Sequence, residues 1–314
     1  MKLIQISDFK LGRSIQGFYL CRDKRLSHTR NGELFLDMVF SDSTGTISCK
    51  LWDLADQFNG RFERGDPVAV KGRVTKFNDH LQLTVTNVNH ATDSQYGKYG
   101  FSPDLLIRTV EESIDVLWKR ISILIDTLAT PYKKLIKAIF KAHEQKIRIM
   151  PEDVSHHHPI RGGFLKHLVI TAQMSIDILP YYPALNKDLV LCGILIHDIG
   201  KVEAINDDLQ AGYTNAGRLI GHVALGIDIL RKVSSSFKNF PKDILLKLEH
   251  IILTYEDRRD SRSLGSPRFP EALLVHYIDF LDCRMNLMQD AIVNDLNPEW
   301  TDNHNHFHSE LYKK

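Results

Sequence analysis

DLVLCGILIHDIGK, residues 188–201, sets an unbroken apolar run directly before an adjacent histidine and aspartate, His197 and Asp198. A run this apolar reads as a helix buried on every side. A carboxylate at its end is costly to bury unless a cation or hydrogen bonds compensate it. A metal is the economical explanation, because imidazole and carboxylate are ligands that divalent transition metals accept. Gly200 is expected to permit a turn after the pair, and Lys201 to project a cation where a substrate phosphate is held.

Outward from this stretch the pattern stays helical. In residues 131–148, Tyr132, Leu135, Ile136, Ile139 and Phe140 share one helical face, and Lys133, Lys134, Lys137 and Lys141 share the other. Further helices are expected at 165–179, 220–233, 242–254 and 270–290. Three more metal-ligand types stand on or beside them: His167 after GGFLK, His222 in RLIGH and Asp279 in HYIDFLD. A single buried histidine is more often a hydrogen-bonded core residue, so only the joint pattern points to a metal. The polar tail from Asn297, which carries His304, His306 and His308, is expected to fray.

Residues 1–92 read differently. IQGFYLC, GELFLDMVFSD, TISCKLW, DPVAVKGRVTKF and LQLTVTNV are rich in β-branched and aromatic residues, and turn signals such as Asn31-Gly32 and Asn78-Asp79 separate them. Five strands is the count of an OB barrel. ATDSQYGKYG (91–100) follows as a linker. The expected organisation is a barrel at 1–95, a linker and connecting helices at 96–150, a metal-binding helical domain at 151–296 and a tail at 297–314. Such barrels hold single strands with cationic grooves and aromatic faces. Arg22, Lys24, Arg25 and Arg30 are expected in a binding loop between the first two strands, and Lys71, Arg73 and Lys76 are expected to follow the fourth. Tyr19, Trp52 and Phe77 are the candidate stacking residues.

Composition is ordinary for a globular protein, at 43% hydrophobic, 25% charged and a net charge of +1. The sequence shows no apolar run of about 18 residues and no signal-peptide pattern, so a cytoplasmic protein without membrane contact is expected. Cys21, Cys49, Cys192 and Cys283 lie far apart with no CxxC pair, which reads as reduced packing residues.

HHHPIRGGFLKH, HDIGK, GRLIGHVALG, GSPRFPEALLVHYIDFLD and the barrel segment FLDMVFSDSTGTISCKLWD together resemble the YhaM-type 3′-to-5′ exoribonucleases. That family joins an OB domain to an all-α domain of the HD phosphohydrolase superfamily, whose pattern is H…HD…D. The resemblance implies a hydrolase acting on single-stranded RNA, with single-stranded DNA as an alternative, and leaves room for a homo-oligomer. It implies a divalent metal, manganese first, with cobalt, iron, zinc or magnesium as alternatives. His167, His197, Asp198 and Asp279 would ligate a first metal, with His222 and His250 available to a second. Asp198 is expected to orient the attacking water, and Lys201 to supplement charge stabilisation on the phosphoryl oxygens. His157 and His158 match a histidine pair that is assigned to the site's rim. Where the family has Ser-His-His-Gly, this chain has Thr254-Tyr255-Glu256-Asp257, and Glu256 at the rim stands as a replacement for one imidazole. Two other functions remain open at this level: an HD phosphohydrolase of free or cyclic nucleotides, and a nucleic-acid-binding adaptor with a weakened HD domain.

Overall fold

The structure is a computed structural model that describes residues 4–29, 31–102, 105–154, 158–206, 208–209, 211–254 and 265–314. The chain divides into two compact units, Met1–Thr109 with Asp208–Gln210, and Val110–Asp207 with Ala211–Lys314. The first is all-β in its core and the second all-α, the architecture expected above.

Five strands form the first unit: β1 (Ser14–His28), β2 (Leu34–Asp42), β3 (Gly45–Leu51), β4 (Pro67–Phe77) and β5 (His80–His90). They close into a barrel in the order β1-β2-β3-β5-β4, with β3 and β5 parallel and the other pairs antiparallel. Alternation decides which side chains enter. Tyr19, Leu36, Met38, Phe40, Leu51, Val70 and Leu83 fill the interior, while their neighbours face outward. The β4–β5 hairpin turns on Asn78 and Asp79, both at positive φ, the conformation a two-residue hairpin loop requires. A short helix, α1 (Ala55–Asn59), lies between β3 and β4, and α2 (Asp93–Tyr96) follows the barrel.

β1 is longer than its apolar start suggests. Cys21 to His28 pair with β2 through a bulge between Cys21 and Asp23, so Arg22, Lys24 and Arg25 stand in a strand and not in a loop. Lys71, Arg73 and Lys76 likewise lie within β4. Arg30 falls outside the described residues.

The second unit contains α3 (Ile114–Thr127), α4 (Tyr132–Ile149), α5 (Gly163–Ile178), α6 (Lys187–Ile196), α7 (Lys201–Ala204), α8 (Asn215–Leu219), α9 (His222–Ser235), α10 (Lys242–Leu253) and α11 (Pro270–Asn294). At its centre is α6, in which every residue from Leu189 to Ile196 is buried. Each such aliphatic side chain stabilises by about 1.5–3 kcal/mol, so the position of His197, which ends the helix, is fixed by packing. Asn186 caps the other end, its side chain accepting from the Asp188 and Leu189 amides. The lysines of α4 lie on that helix's less buried side, and Lys137 pairs with Asp126 at 2.6 Å. The tail is ordered, contrary to the expectation of fraying: Trp300 bridges to Tyr312, Thr301 is buried, and Asn305 donates to the Ser309 carbonyl. All four cysteines are free thiols. Among the described residues no helix is long and apolar enough to cross a membrane.

Candidate metal centre and strand-binding surface

Among the described residues, His167, His197, Asp198 and Asp279 form one group whose ligand atoms all lie within 4.8 Å of one another. They arrive from α5, the end of α6 and α11. His167 and His197 point their Nε2 atoms at each other, 3.3 Å apart, and Asp279 Oδ1 lies 3.6 and 3.4 Å from the two.

The opposite edges of both rings explain this arrangement. His197 Nδ1 donates to the Ile194 carbonyl at 2.8 Å, and His167 Nδ1 donates to Asp282 Oδ2 at 2.8 Å. With the proton fixed on Nδ1, each neutral ring presents a lone pair at Nε2. Two lone pairs and two carboxylates facing one point repel unless a cation sits among them. Burial opposes the imidazolium of His197, but Asp198 and Asp279 overcome it and raise its pKa to about 9. Asp279 is held low against burial, chiefly by His197. The donor set, nitrogen and oxygen in a dry pocket, fits a divalent transition metal.

Asp198 is 1% exposed. Its Oδ2 lies 2.7 Å from Lys201 Nζ, and its Oδ1 is 3.5 Å from His222 Nε2. Burial pushes its pKa up, yet Lys201, His197 and His222 together hold it well below the usual carboxylate range. His222, the first residue of α9, is thus a further imidazole beside the group. The chain does turn at residues 197–200, as expected, but with a φ of −64° Gly200 is needed there for space: a Cβ would meet the His222 carbonyl oxygen at 1.8 Å. The start of α9 packs directly on the HDIG backbone.

Lys201 differs from its expected role. It is 6% exposed, and its ammonium sits between Asp198 Oδ2 and Glu152 Oε1, the latter at 2.5 Å. An ammonium held between two buried carboxyl groups is placed to position Asp198 rather than to project from the surface. Glu152 is fully buried, which holds its pKa well above the usual range despite Lys201. Nothing in the sequence pattern marked it. Asp282 was also missed, although it stands three residues after Asp279 on the same helical face. Its link to His167 is the carboxylate–histidine pairing that orients metal ligands.

His158, expected at the rim, is 6% exposed and lies beside the group, with its Nε2 3.5 Å from Asp282 Oδ2 and its amide donating to Asn286 Oδ1. His250 is not brought to the group. Its Nε2 accepts from the Arg268 amide at 3.0 Å, and its ring lies against Phe269. His157, Tyr255 and Glu256 lie outside the described residues.

On the barrel, several residues singled out for strand binding serve the fold. Tyr19 is 1% exposed and its hydroxyl donates to the Ile4 carbonyl, so it is core and not a stacking platform. Lys24 Nζ donates to the Asn59 and Phe62 carbonyls at 2.8 and 2.5 Å, satisfying acceptors at the end of α1. Arg22 Nε donates to Ser41 Oγ at 2.7 Å, and partial burial lowers its pKa. Arg73 is exposed, with Nε donating to the Gly12 carbonyl. Arg25, Lys71 and Phe77 are exposed. An aromatic platform does exist elsewhere: Phe35 stacks on Trp52 at 4.9 Å, and Lys50 Nζ lies 5.0 Å over the Phe35 ring. Phe35 was legible in principle, because the β2–β3 register extrapolates to Phe35 opposite Trp52.

Residues 164–283 match the family model of the HD domain, and residues 21–91 match the tRNA anti-codon model, an OB-fold nucleic acid binding domain. The helical unit therefore carries a domain of the metal-dependent phosphohydrolase superfamily, and the barrel a nucleic acid binding fold. Among solved structures, the second OB-fold domain of replication protein A from Methanococcus maripaludis is 21% identical over 28% of this chain and 94% of its own, with a TM-score of 0.24. A replication protein A heterotrimer bound to ssDNA is 16% identical, covering 30% of this chain and 69% of that one at a TM-score of 0.23.

Proposed function

We propose that this protein is a metal-dependent phosphodiesterase that degrades single-stranded RNA from the 3′ end. The convergence of His167, His197, Asp198 and Asp279 on one point carries the reading. The presence of an OB-fold domain in the same chain supports a polymeric substrate. A divalent metal in this cage supplies Lewis acidity toward a phosphoryl oxygen and lowers the pKa of water. The chain's own residues do the remaining work. His167 and His197 offer nitrogen donors whose orientation Asp282 and the Ile194 carbonyl fix. Asp198, kept ionised by Lys201, orients the attacking water. Phe35 and Trp52 offer faces on which bases stack. Direction and the preference for RNA rest on the resemblance to the exoribonuclease family.

The test is an RNA oligonucleotide labelled at either end, incubated with manganese and with a chelator. Stepwise shortening of the 5′-labelled strand, abolished by the chelator, is expected. Equal or faster hydrolysis of free or cyclic nucleotides would favour a small-molecule phosphohydrolase, and manganese-independent binding without cleavage would favour an adaptor.

A further inference from the structure

Outside the platform on β2 and β3, the barrel has a cavity of about 370 Å³ on the outer face of β1, β4 and β5. That is within the range of small-ligand sites, roughly 300–1,000 Å³. Two rows of side chains cross the three strands to build its floor. Gln16, Lys71 and Asn87 are successive Cα partners, and so are Phe18, Ala69 and Asn89. The small Ala69 at the middle of the second row leaves space between larger neighbours. Thr86 is the extra residue of a bulge opposite Lys71 and Gly72, which gives Asn87 and Asn89 their register on this face.

The walls are aromatic. Tyr96 and Tyr99, from the segment after the barrel, line the cavity, and Tyr96 is braced edge-on against Phe18 at 5.6 Å. The carboxamides are pre-set by a hydrogen-bonded chain in which Arg61 donates to Asn89 Oδ1 at 3.1 Å and Asn89 Nδ2 donates to Asn87 Oδ1 at 2.8 Å.

We infer that this cavity binds one nucleotide unit. A nucleobase has an apolar face for the tyrosine rings and a donor–acceptor edge that carboxamides match, and Lys71 supplies a cation for its phosphate. An apolar metabolite would leave the carboxamides unpaired, and a simple anion would not use the rings. The inference does not depend on the metal centre. Its ligand is either a free mononucleotide or one nucleotide of a strand, and the same chemistry recognises both.

Calorimetric titration of the full chain with adenosine monophosphate and, separately, with a short oligoadenylate decides it, with a chelator present so that the metal centre takes no part. Saturable binding is expected, weakened about tenfold by Asn87→Ala and by Tyr99→Ala, with unchanged denaturation midpoints. Gln16→Ala, at an exposed position, serves as a further variant should Tyr99→Ala disturb the fold. Sensitivity of both ligands to the variants assigns the cavity to a strand, and sensitivity of the monophosphate alone assigns it to a free nucleotide. Absence of binding by either ligand, or affinities that none of the variants changes, overturns the inference. Because no cleavage is read, failure here is distinct from failure of the nuclease proposal.

Discussion

In the barrel, Lys24 and Arg22 meet local partners, backbone carbonyls, the exposed Glu63 carboxylate at 3.0 Å and a serine hydroxyl, and stabilise the strands they come from. In the helical domain, Lys201 meets two buried carboxylates beside a third acid and two facing imidazoles. The first arrangement is complete without any ligand. The second holds several ionisable groups in a dry place with their lone pairs converging, which ordinary folding does not favour. Charge that only serves the fold finds a local partner, whereas charge gathered for a ligand is left facing it.

Substitutions can break that contrast. The largest effect is expected for Asp198→Asn, which should lower RNA hydrolysis by more than about 10³-fold, measured as single-turnover rates at saturating manganese. Lys201→Met comes next. It leaves Glu152 and Asp198 buried without their shared cation and should reduce stability by about 3–5 kcal/mol in denaturant titration; a rise in KM alone, with stability intact, would return Lys201 to a phosphate-binding role. Asp282→Asn should weaken metal affinity by about 10–100-fold while leaving the fold in place, because it loosens the orientation of His167 rather than removing a ligand. The smallest effects belong to the barrel. Trp52→Ala, at a side chain 47% exposed, should cost about 1–3 kcal/mol of single-strand affinity with no change in stability. Neutralising Arg25 and Lys71 together should reduce the slope of log affinity against log salt by about 1.4 for a single strand.

How much could be read beforehand follows the same division. HDIGK sits at the end of a run so apolar that burial, and hence an unusual role for Asp198, was legible locally. Asp279 and Asp282 share a helical face, so the second acid was legible too, but it was passed over because ligand patterns count ligands and not the groups that orient them. Glu152 gave no pattern at all; its burial depends on packing between distant segments. The second half of β1, RDKRLSH, has little apolar content and reads as a loop, yet pairing with β2 keeps it extended. That pairing is a long-range fact, as is the choice of Tyr19 for the core. The turn at Gly200 is legible in the sequence, but the close approach of α9 that demands a glycine there emerges only from packing.

Direct titration with manganese, followed by the ion's paramagnetic resonance signal, tests the metal cage most plainly. One tight site per chain is expected in the native protein, lost in His167→Ala and in Asp279→Asn chains that remain folded. Manganese binding that is absent from the native protein, or that survives both substitutions undiminished, would contradict the assignment of these four residues to a metal.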